Sequence, residues 1–396
     1  MRRRASLARG RPCPQSVESE IDGAKMKKIA AWFGVFLMML AGYFAFWPIP
    51  ISPRAWSAQP APGYVGPHAR NEKLAGLKTI DIGDEVGPEH IAFGPDGKLY
   101  AAVASGDILR MDAGGNNREI FANTGGRTLG FDFDPSGRLI AADALRGLLA
   151  VTKDKVEVLA DKVDGQPIRY ADAVIVAKDG LVYFSDASQR FGPREWGGTF
   201  EASVLDIMEQ AATGRILVYE PGTKATKVVA TGLSFANGVA MSQDEKSIFV
   251  AETGKYRVWK IPVGARNLDV SNGPTGGATI VLDNLPGYPD NLMRGLPTPD
   301  GKPKLWVGLT KPRNDLIDKL ADKPFVRGMI MRLPRAFWPI PPAYGHIIAF
   351  TEDGKIVEDL QDPSGAYPET TSAVERGDAL YIQSLHAHSI GWMKRP

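Results

Sequence analysis

The sequence predicts an all-β protein, a six-bladed β-propeller that carries one inserted helix and follows an N-terminal transmembrane helix. Three observations lead to that prediction. A hairpin unit, made of an alternating apolar run, a polar turn and a second alternating run, recurs six times from Ile91 onward. An uncharged run, Ile29–Phe46, stands directly behind Lys25, Lys27 and Lys28. Residues 189–213 interrupt the repeat with apolar residues at helical rather than alternating spacing.

Taken in chain order, residues 1–28 read as a basic leader, with Met26 as an alternative start. The run from residue 29 to 46, "IAAWFGVFLMMLAGYFAF", is long enough to cross a hydrocarbon core of roughly 30 Å, and Tyr43 and Trp47 suit its interface. The cleaved-signal alternative has a shorter apolar core and a small-residue cleavage site, whereas this run exits into "WPIPISPR". The lysines place the N-terminus inside and the rest of the chain on the extracytoplasmic side, periplasmic or lumenal. Residues 47–76, rich in Pro and Ala, read as a tether, and 77–396 as the propeller.

The six copies are "IAFGPDGKLYAAV", "FDFDPSGRLIAAD", "VIVAKDGLVYFSD", "VAMSQDEKSIFVAE", "LPTPDGKPKLWVG" and "AVERGDALYIQS". Third runs such as "GRILVYE" and fourth runs such as "KVEVLAD" complete blades of four short strands, and closing them around an axis protects the sheet edges. Two stacked β-sandwiches are the alternative, but nothing in a sandwich requires near-identical strand triplets. Within the interruption, Phe200, Val204, Ile207, Met208 and Ala211 form one helical stripe. Such a helix lies either across the central opening or on a blade edge.

Composition excludes several classes. A net charge of +2 on 396 residues, with no basic stripe interleaved with aromatics, argues against nucleic acid. One cysteine, Cys13, allows no intramolecular disulfide and no thiolate metal centre.

The innermost strand of each blade lines the axis, so residues at its start share one depth. Counting seven residues back from each turn gives Glu89, Leu129, Asp172 and Asn237; the longer fifth turn offers Asp290 and Asn291, and the sixth blade offers hydroxyls. An Asn at position 237, where a strand favours Val, makes sense as part of this ring. Three converging carboxylates repel one another unless a cation neutralises them, and an all-oxygen donor set without Cys or His selects Ca²⁺. The expected metal ligands are therefore Glu89, Asp172, Asn237, Asp290 and Asn291. Local turn capping by each Asn or Asp is the alternative.

"GLSFANGVAMSQDEKSIFVAETGKYRVWKI", "ADAVIVAKDGLVYFSDAS" and "LPGYPDNLMRG" resemble the strictosidine synthase-like family, and the resemblance runs from about Gly87 to the C-terminus. It implies a six-bladed propeller, often behind an N-terminal anchor, related to the gluconolactonase/regucalcin and paraoxonase hydrolases. It also implies that Glu89, Asn237 and Asp290 match the calcium positions of those hydrolases. Asp172 then replaces the Asn of an Asn-Asp pair, with Ala173 where the Asp would stand. Leu129 stands where paraoxonases carry a channel His, and Glu369 lies near the last-blade Glu of the alkaloid-forming enzymes without clear registration.

The expected function is a membrane-anchored, Ca²⁺-dependent hydrolase of lactones or aryl esters. The ion polarises the carbonyl of a small-molecule substrate, and Asp290, Asp172 or one of the remote histidines accepts the proton. His386 and His388, alternating along a strand, read as structural or surface residues, and His90 as facing away from Glu89. A non-catalytic tethered propeller with a structural calcium is the second reading, and strictosidine-type condensation the third.

Overall fold

The propeller strand that comes first in the chain pairs with the one that comes last: Lys78–Asp81 runs antiparallel to Ser389–Lys394, with Ile80 opposite Ile390. The ring is thereby closed by hydrogen bonds between the two ends of the propeller sequence. The structure, a computed structural model, describes residues 15–396; the start of the basic leader, with Cys13, lies outside them. The chain divides into two units, one formed by the residues up to Pro50 with Gly328–Trp338, the other by Ile51–Arg327 with Pro339–Pro396.

In the first unit, helix α1 (Gln15–Phe46) contains Lys25–Phe46, 22 residues long and apolar enough to cross a membrane. Its length of about 33 Å at 1.5 Å per residue matches a bilayer core. Pro48, which lacks an amide hydrogen, prevents its continuation. At its exit the Tyr43 hydroxyl donates to the Arg332 carbonyl at 2.8 Å, and Arg332 Nε donates to the Trp47 carbonyl at 2.7 Å.

The second unit is the propeller. Its six inner strands are His90–Phe93, Thr128–Phe133, Ala171–Val176, Ala236–Met241, Gly287–Arg294 and Thr370–Arg376, opening blades 1 to 6. Each leads a sheet of four antiparallel strands, and blade 3 gains a short parallel fifth, Leu268–Asp269. Each hairpin turn needs one residue in the left-handed region, supplied by Gly97 in blade 1 and Gly137 in blade 2. The stretch read as a tether is held along this unit: Ile51 and Leu74 are buried, and Arg54 and Trp56 donate backbone hydrogen bonds to Glu209 and Ala321.

Alternation along the strands has a direct packing cause. In "SIFVAE", Ile248 and Val250 face blade 3 among Ile216, Val218 and Trp259, whereas Phe249 and Ala251 face blade 5 among Leu305, Val307 and Phe350. Both faces of a middle strand are thus apolar, and each junction between neighbouring blades has its own core. Fully burying one such Val, Ile or Phe contributes about 1.5–3 kcal/mol.

Two insertions rise from this frame. Helix α2 (Thr199–Glu209) leaves blade 3, with Ala202, Leu205 and Met208 buried beneath it and Phe200, Val204 and Ile207 turned to a cavity. The expected stripe extended to Ala211, but the helix ends at Glu209, because Gln210 turns left-handed (φ 60°) and its side-chain amide donates to the Gly254 carbonyl. A second insertion, between the second and third strands of blade 5, holds α3 (Asp315–Lys319) and α4 (Pro324–Ile330). Asn314 caps α3 by accepting from the amides of Leu316 and Ile317. Sequence reading found the first insertion and missed the second.

Inner strands of neighbouring blades approach closely where one carries glycine. A Cβ on Gly238 would meet the Asp290 carbonyl oxygen and the Leu292 amide nitrogen at 2.4 Å. Gly238→Ala should therefore destabilise the propeller by about 1–3 kcal/mol. Gly222→Ala, at an exposed turn with open space around it, should shift stability by less than about 0.5 kcal/mol. Denaturant unfolding of both variants checks the difference; equal effects would contradict it.

Candidate active site

Five inner strands break register at the same level. The irregularities fall between Thr128 and Gly130, Ala171 and Val174, Ala236 and Val239, Pro289 and Leu292, and Thr370 and Ala373. A bulge leaves residues unpaired and re-aims their side chains. The residues inside these bulges include Leu129, Asp172, Asn237, Asp290 with Asn291, and Thr371. Glu89 directly precedes the inner strand of blade 1.

Glu89, Asp172, Asn237, Asp290 and Asn291 are all buried, and four of them, all but Asn291, line one cavity. Asp290 Oδ1 accepts from the Asn291 amide at 2.9 Å. The Glu89 carbonyl accepts from Asn291 Nδ2 at 3.1 Å and from Thr371 Oγ1 at 2.7 Å, so blades 5 and 6 are tied to blade 1. Glu89 pairs through its carboxylate with Arg127, a residue that sequence reading did not single out. Leu129 is buried, and His90 packs edge-on against Phe131 at 4.7 Å.

The electrostatics follow from burial. It pushes the Asp172 carboxyl well above the usual range, and the charges of Asp290 and Glu89 push it further. Asp290 is raised in the same way, first by burial and then by Glu89. Burial raises Glu89 too, against the opposing pull of Arg127 and His386. Ionised together, three buried carboxylates against one guanidinium would leave two negative charges uncompensated. Asp172 Oδ1, Asn237 Oδ1 and Asn291 Oδ1 are buried without a hydrogen-bond partner, and so is Arg127 Nη1. Orphaned oxygens of this kind, together with a deficit of two charges, fit a hard divalent cation. Glu89 is engaged by Arg127, which leaves Asp172, Asn237 and Asp290 in the cavity as donors, with Asn291 next to Asp290 in the chain.

The rim adds a group that sequence reading set aside. Glu369, in the left-handed region at φ 50°, accepts from Lys311 Nζ at 2.5 Å through Oε1 and bonds His386 Nδ1 through Oε2. The Glu369 hydrogen bond raises the His386 imidazole above its ordinary value. Burial alone would raise Glu369, but the bonds from His386 and Lys311 outweigh it and hold the carboxyl low. His386 lines the same cavity as Glu89 and Asp172. One signal for it was available: in an antiparallel blade the end of the second strand stands beside the start of the first, and His386 follows the second strand of blade 6. Both histidines are exposed, but His388 does not line that cavity.

Beside the polar floor lies an apolar pocket that shares Asn237 and Asp290 with it. Its walls come from α2 through Phe200, Val204 and Ile207, and from the blade 5 insertion through Ile317 and Ile340. Helix α2 therefore covers the channel end, the first of its two expected positions. Tyr170 anchors it by donating to the Thr199 carbonyl at 2.9 Å.

Residues 66–111 match the family model described as strictosidine synthase-like, N-terminal, and residues 172–263 match the strictosidine synthase model. The chain is 31% identical over 334 residues to strictosidine synthase-like protein 6 of Arabidopsis thaliana, covering 80% of this chain and 82% of that one. It is 29% identical over 364 residues to adipocyte plasma membrane-associated protein of Homo sapiens, covering 85% and 82%. Among solved structures, a gluconolactonase from Xanthomonas campestris superposes with a TM-score of 0.57 at 16% identity, over 87% of this chain and all of that one. A regucalcin from Agrobacterium tumefaciens, described as a calcium-binding protein, gives 0.52 at 13% identity over 80% and 93%. At such identities the structural likeness is one of fold.

Stripped of divalent ions, the protein should lose stability as pH rises. Asp172 and Asp290 have folded values above their unfolded ones, so the folded state holds protons that the unfolded chain has released. Their stabilising contribution is complete below the unfolded value of about 4 and is lost as pH climbs through the raised values. Melting temperatures from about pH 5 to about pH 8 should fall without metal and recover with excess Ca²⁺, and Asp290→Asn should flatten the fall. A metal-free melting temperature that does not fall with pH, or one that ignores calcium, would contradict this.

Proposed function

The chain belongs to the strictosidine synthase-like family, and on that premise we propose that it is a membrane-anchored, calcium-dependent hydrolase of apolar lactones or aryl esters. The observation that carries the proposal is the set of three partnerless buried oxygens beside a partnerless guanidinium N–H, in a cavity that adjoins an apolar pocket. Asp172, Asn237, Asp290 and Asn291 would hold the ion, with Glu89 shared between it and Arg127. When bound, such an ion polarises a carbonyl oxygen and acidifies water.

The chain's own groups supply the rest. Arg127 Nη1 donates to the oxygen on which negative charge develops, and the low dielectric of the buried site strengthens that bond. His386 takes the proton from the attacking water: its Nδ1 is occupied by Glu369, which leaves Nε2 as the accepting atom. Lys311 steadies Glu369 from the other side. Asp290 and Asp172, expected from the sequence to accept the proton, become ion ligands in this reading. Phe200, Val204 and Ile207 receive the apolar part of the substrate and exclude water. Lys25, Lys27 and Lys28 before the membrane segment favour an extracytoplasmic propeller.

A non-catalytic tethered propeller with a structural ion is the second reading. The bonds from Asn291 and Thr371 to the Glu89 carbonyl favour it, because they join three blades at the axis.

The full-length protein in detergent should hydrolyse phenyl acetate or an alkyl lactone, lose that activity to a chelator and regain it with Ca²⁺. His386→Gln should lower kcat about 10²–10⁴-fold with little change in KM. The wild-type kcat/KM should rise with pH through a midpoint above about 6.5, since the base acts only when neutral and Glu369 raises it. Calcium-dependent melting without turnover would leave the structural reading, and full activity in His386→Gln would remove His386 from the mechanism.

A further inference from the structure

A second cluster of ligand-type side chains lies at the outer edge of blade 5, three strands from the axis and apart from the cavity just described. His68 Nδ1 is 2.8 Å and His346 Nε2 3.0 Å from the same oxygen, Oδ2 of Asp359. All three ligand atoms lie within 4.8 Å of one another. The other carboxylate oxygen, Oδ1, accepts from Asn71 Nδ2 at 3.1 Å and from Gln361 Nε2 at 2.5 Å. Two amides thus fix the carboxylate so that its remaining oxygen meets two imidazole nitrogens, the arrangement by which outer partners orient a metal ligand.

Charge supplies the reason for an ion. The Asp359 side chain is 6% exposed and His346 only 1%, and among the described residues the ion-pair partners of Asp359 are these two histidines. A carboxylate that faces two ring nitrogens and little solvent is the kind of buried charge that pairs with or coordinates a cation. Two imidazoles with one carboxylate suit zinc, whereas Ca²⁺ and Mg²⁺ take oxygen ligands. Zinc bonds of roughly 2.0–2.1 Å place tetrahedral ligands about 3.3 Å apart, so the two nitrogen-to-oxygen separations, 2.8 and 3.0 Å, need open by only a few tenths of an ångström, and the two ring nitrogens lie within 4.8 Å of each other. A shallow groove lined by Pro67, Ala69, Arg70 and Asn71 reaches Asp359 from the surface.

We propose that His68, His346 and Asp359 form a zinc site that clamps the segment around residues 64–74 onto the outer strands of blade 5. The segment already runs along that edge: the Leu74 amide donates to the Gln361 carbonyl at 2.9 Å, and the Gln361 amide donates to Asn71 Oδ1 at 3.0 Å. His68 comes from the segment and the other two ligands from the blade, so an ion held by all three links the chain that follows the membrane helix to the propeller body. This clamp is independent of the axial site and of any hydrolysis there.

The test uses the untagged full-length protein in detergent, dialysed against chelator and then held in excess Ca²⁺, with Zn²⁺ added by calorimetric titration and metal content measured by elemental analysis. A single equivalent of zinc should bind to the wild type and to Asn237→Leu, and none to His68→Ala or Asp359→Asn. Asn71→Leu should weaken binding about 10–100-fold. Zinc should also slow proteolysis within residues 57–73 of the wild type but not of His68→Ala. His68 sits on the outer segment, so its variant keeps the blades intact and decides the matter should Asp359→Asn fail to fold. No zinc binding by the wild type at micromolar concentration, or full stoichiometry retained in His68→Ala, would overturn the proposal.

Discussion

Three carboxylates buried against one guanidinium at the end of a propeller axis set the terms for the rest of this structure. Two unit charges about 4 Å apart at an effective dielectric near 20 repel by about 4 kcal/mol, so Glu89, Asp172 and Asp290 do not share this space without a cost. The fold bears the cost in identifiable ways. Strand bulges aim the side chains inward, Gly238 lets neighbouring inner strands come close, and Arg127 takes up part of the charge of Glu89. What remains, three buried oxygens without partners beside carboxyls that burial keeps from ionising freely, fits a divalent cation.

Helix α2 and the blade 5 insertion turn that charged end from an open channel mouth into a cavity with apolar walls. The change matters energetically, because hydrogen bonds and charges act more strongly where water is excluded. It also separates two tasks. The polar floor presents oxygens, a guanidinium N–H and the imidazole of His386, while the walls offer mostly hydrocarbon and aromatic surface. The Lys311–Glu369–His386 chain spans blades 5 and 6 and holds the imidazole at the junction of the two.

Everything at the mouth depends on closure of the ring. The site residues are drawn from several blades, and each junction between blades is a separate apolar core, so the relative placement of the side chains is only as firm as those cores and the strand pair that joins Lys78–Asp81 to Ser389–Lys394. The histidines and aspartate at the edge of blade 5 extend the same principle outward, fastening the segment that precedes the first propeller strand.

The sequence by itself determined the features that local chemistry specifies. Alternating apolar runs and left-handed turn glycines made the six blades and their inner strands legible, and an uncharged run behind three lysines marked the candidate membrane helix. A register count placed Glu89, Asp172 and Asn237, with Leu129, at one depth because repeated blades repeat their geometry, and the longer fifth turn offered Asp290 and Asn291 as its equivalent. Tertiary structure alone decided what depends on neighbours distant in the chain. Arg127 reaches back 38 residues to Glu89, His386 17 residues to Glu369, and Asp359 meets His68 across 291 residues. The side chosen by α2, the second insertion and the bulges that turn the ring residues inward belong to the same class. No window of sequence contains these pairings, since each arises from the way adjacent blades, each with its own local pattern, are pressed together when the ring closes.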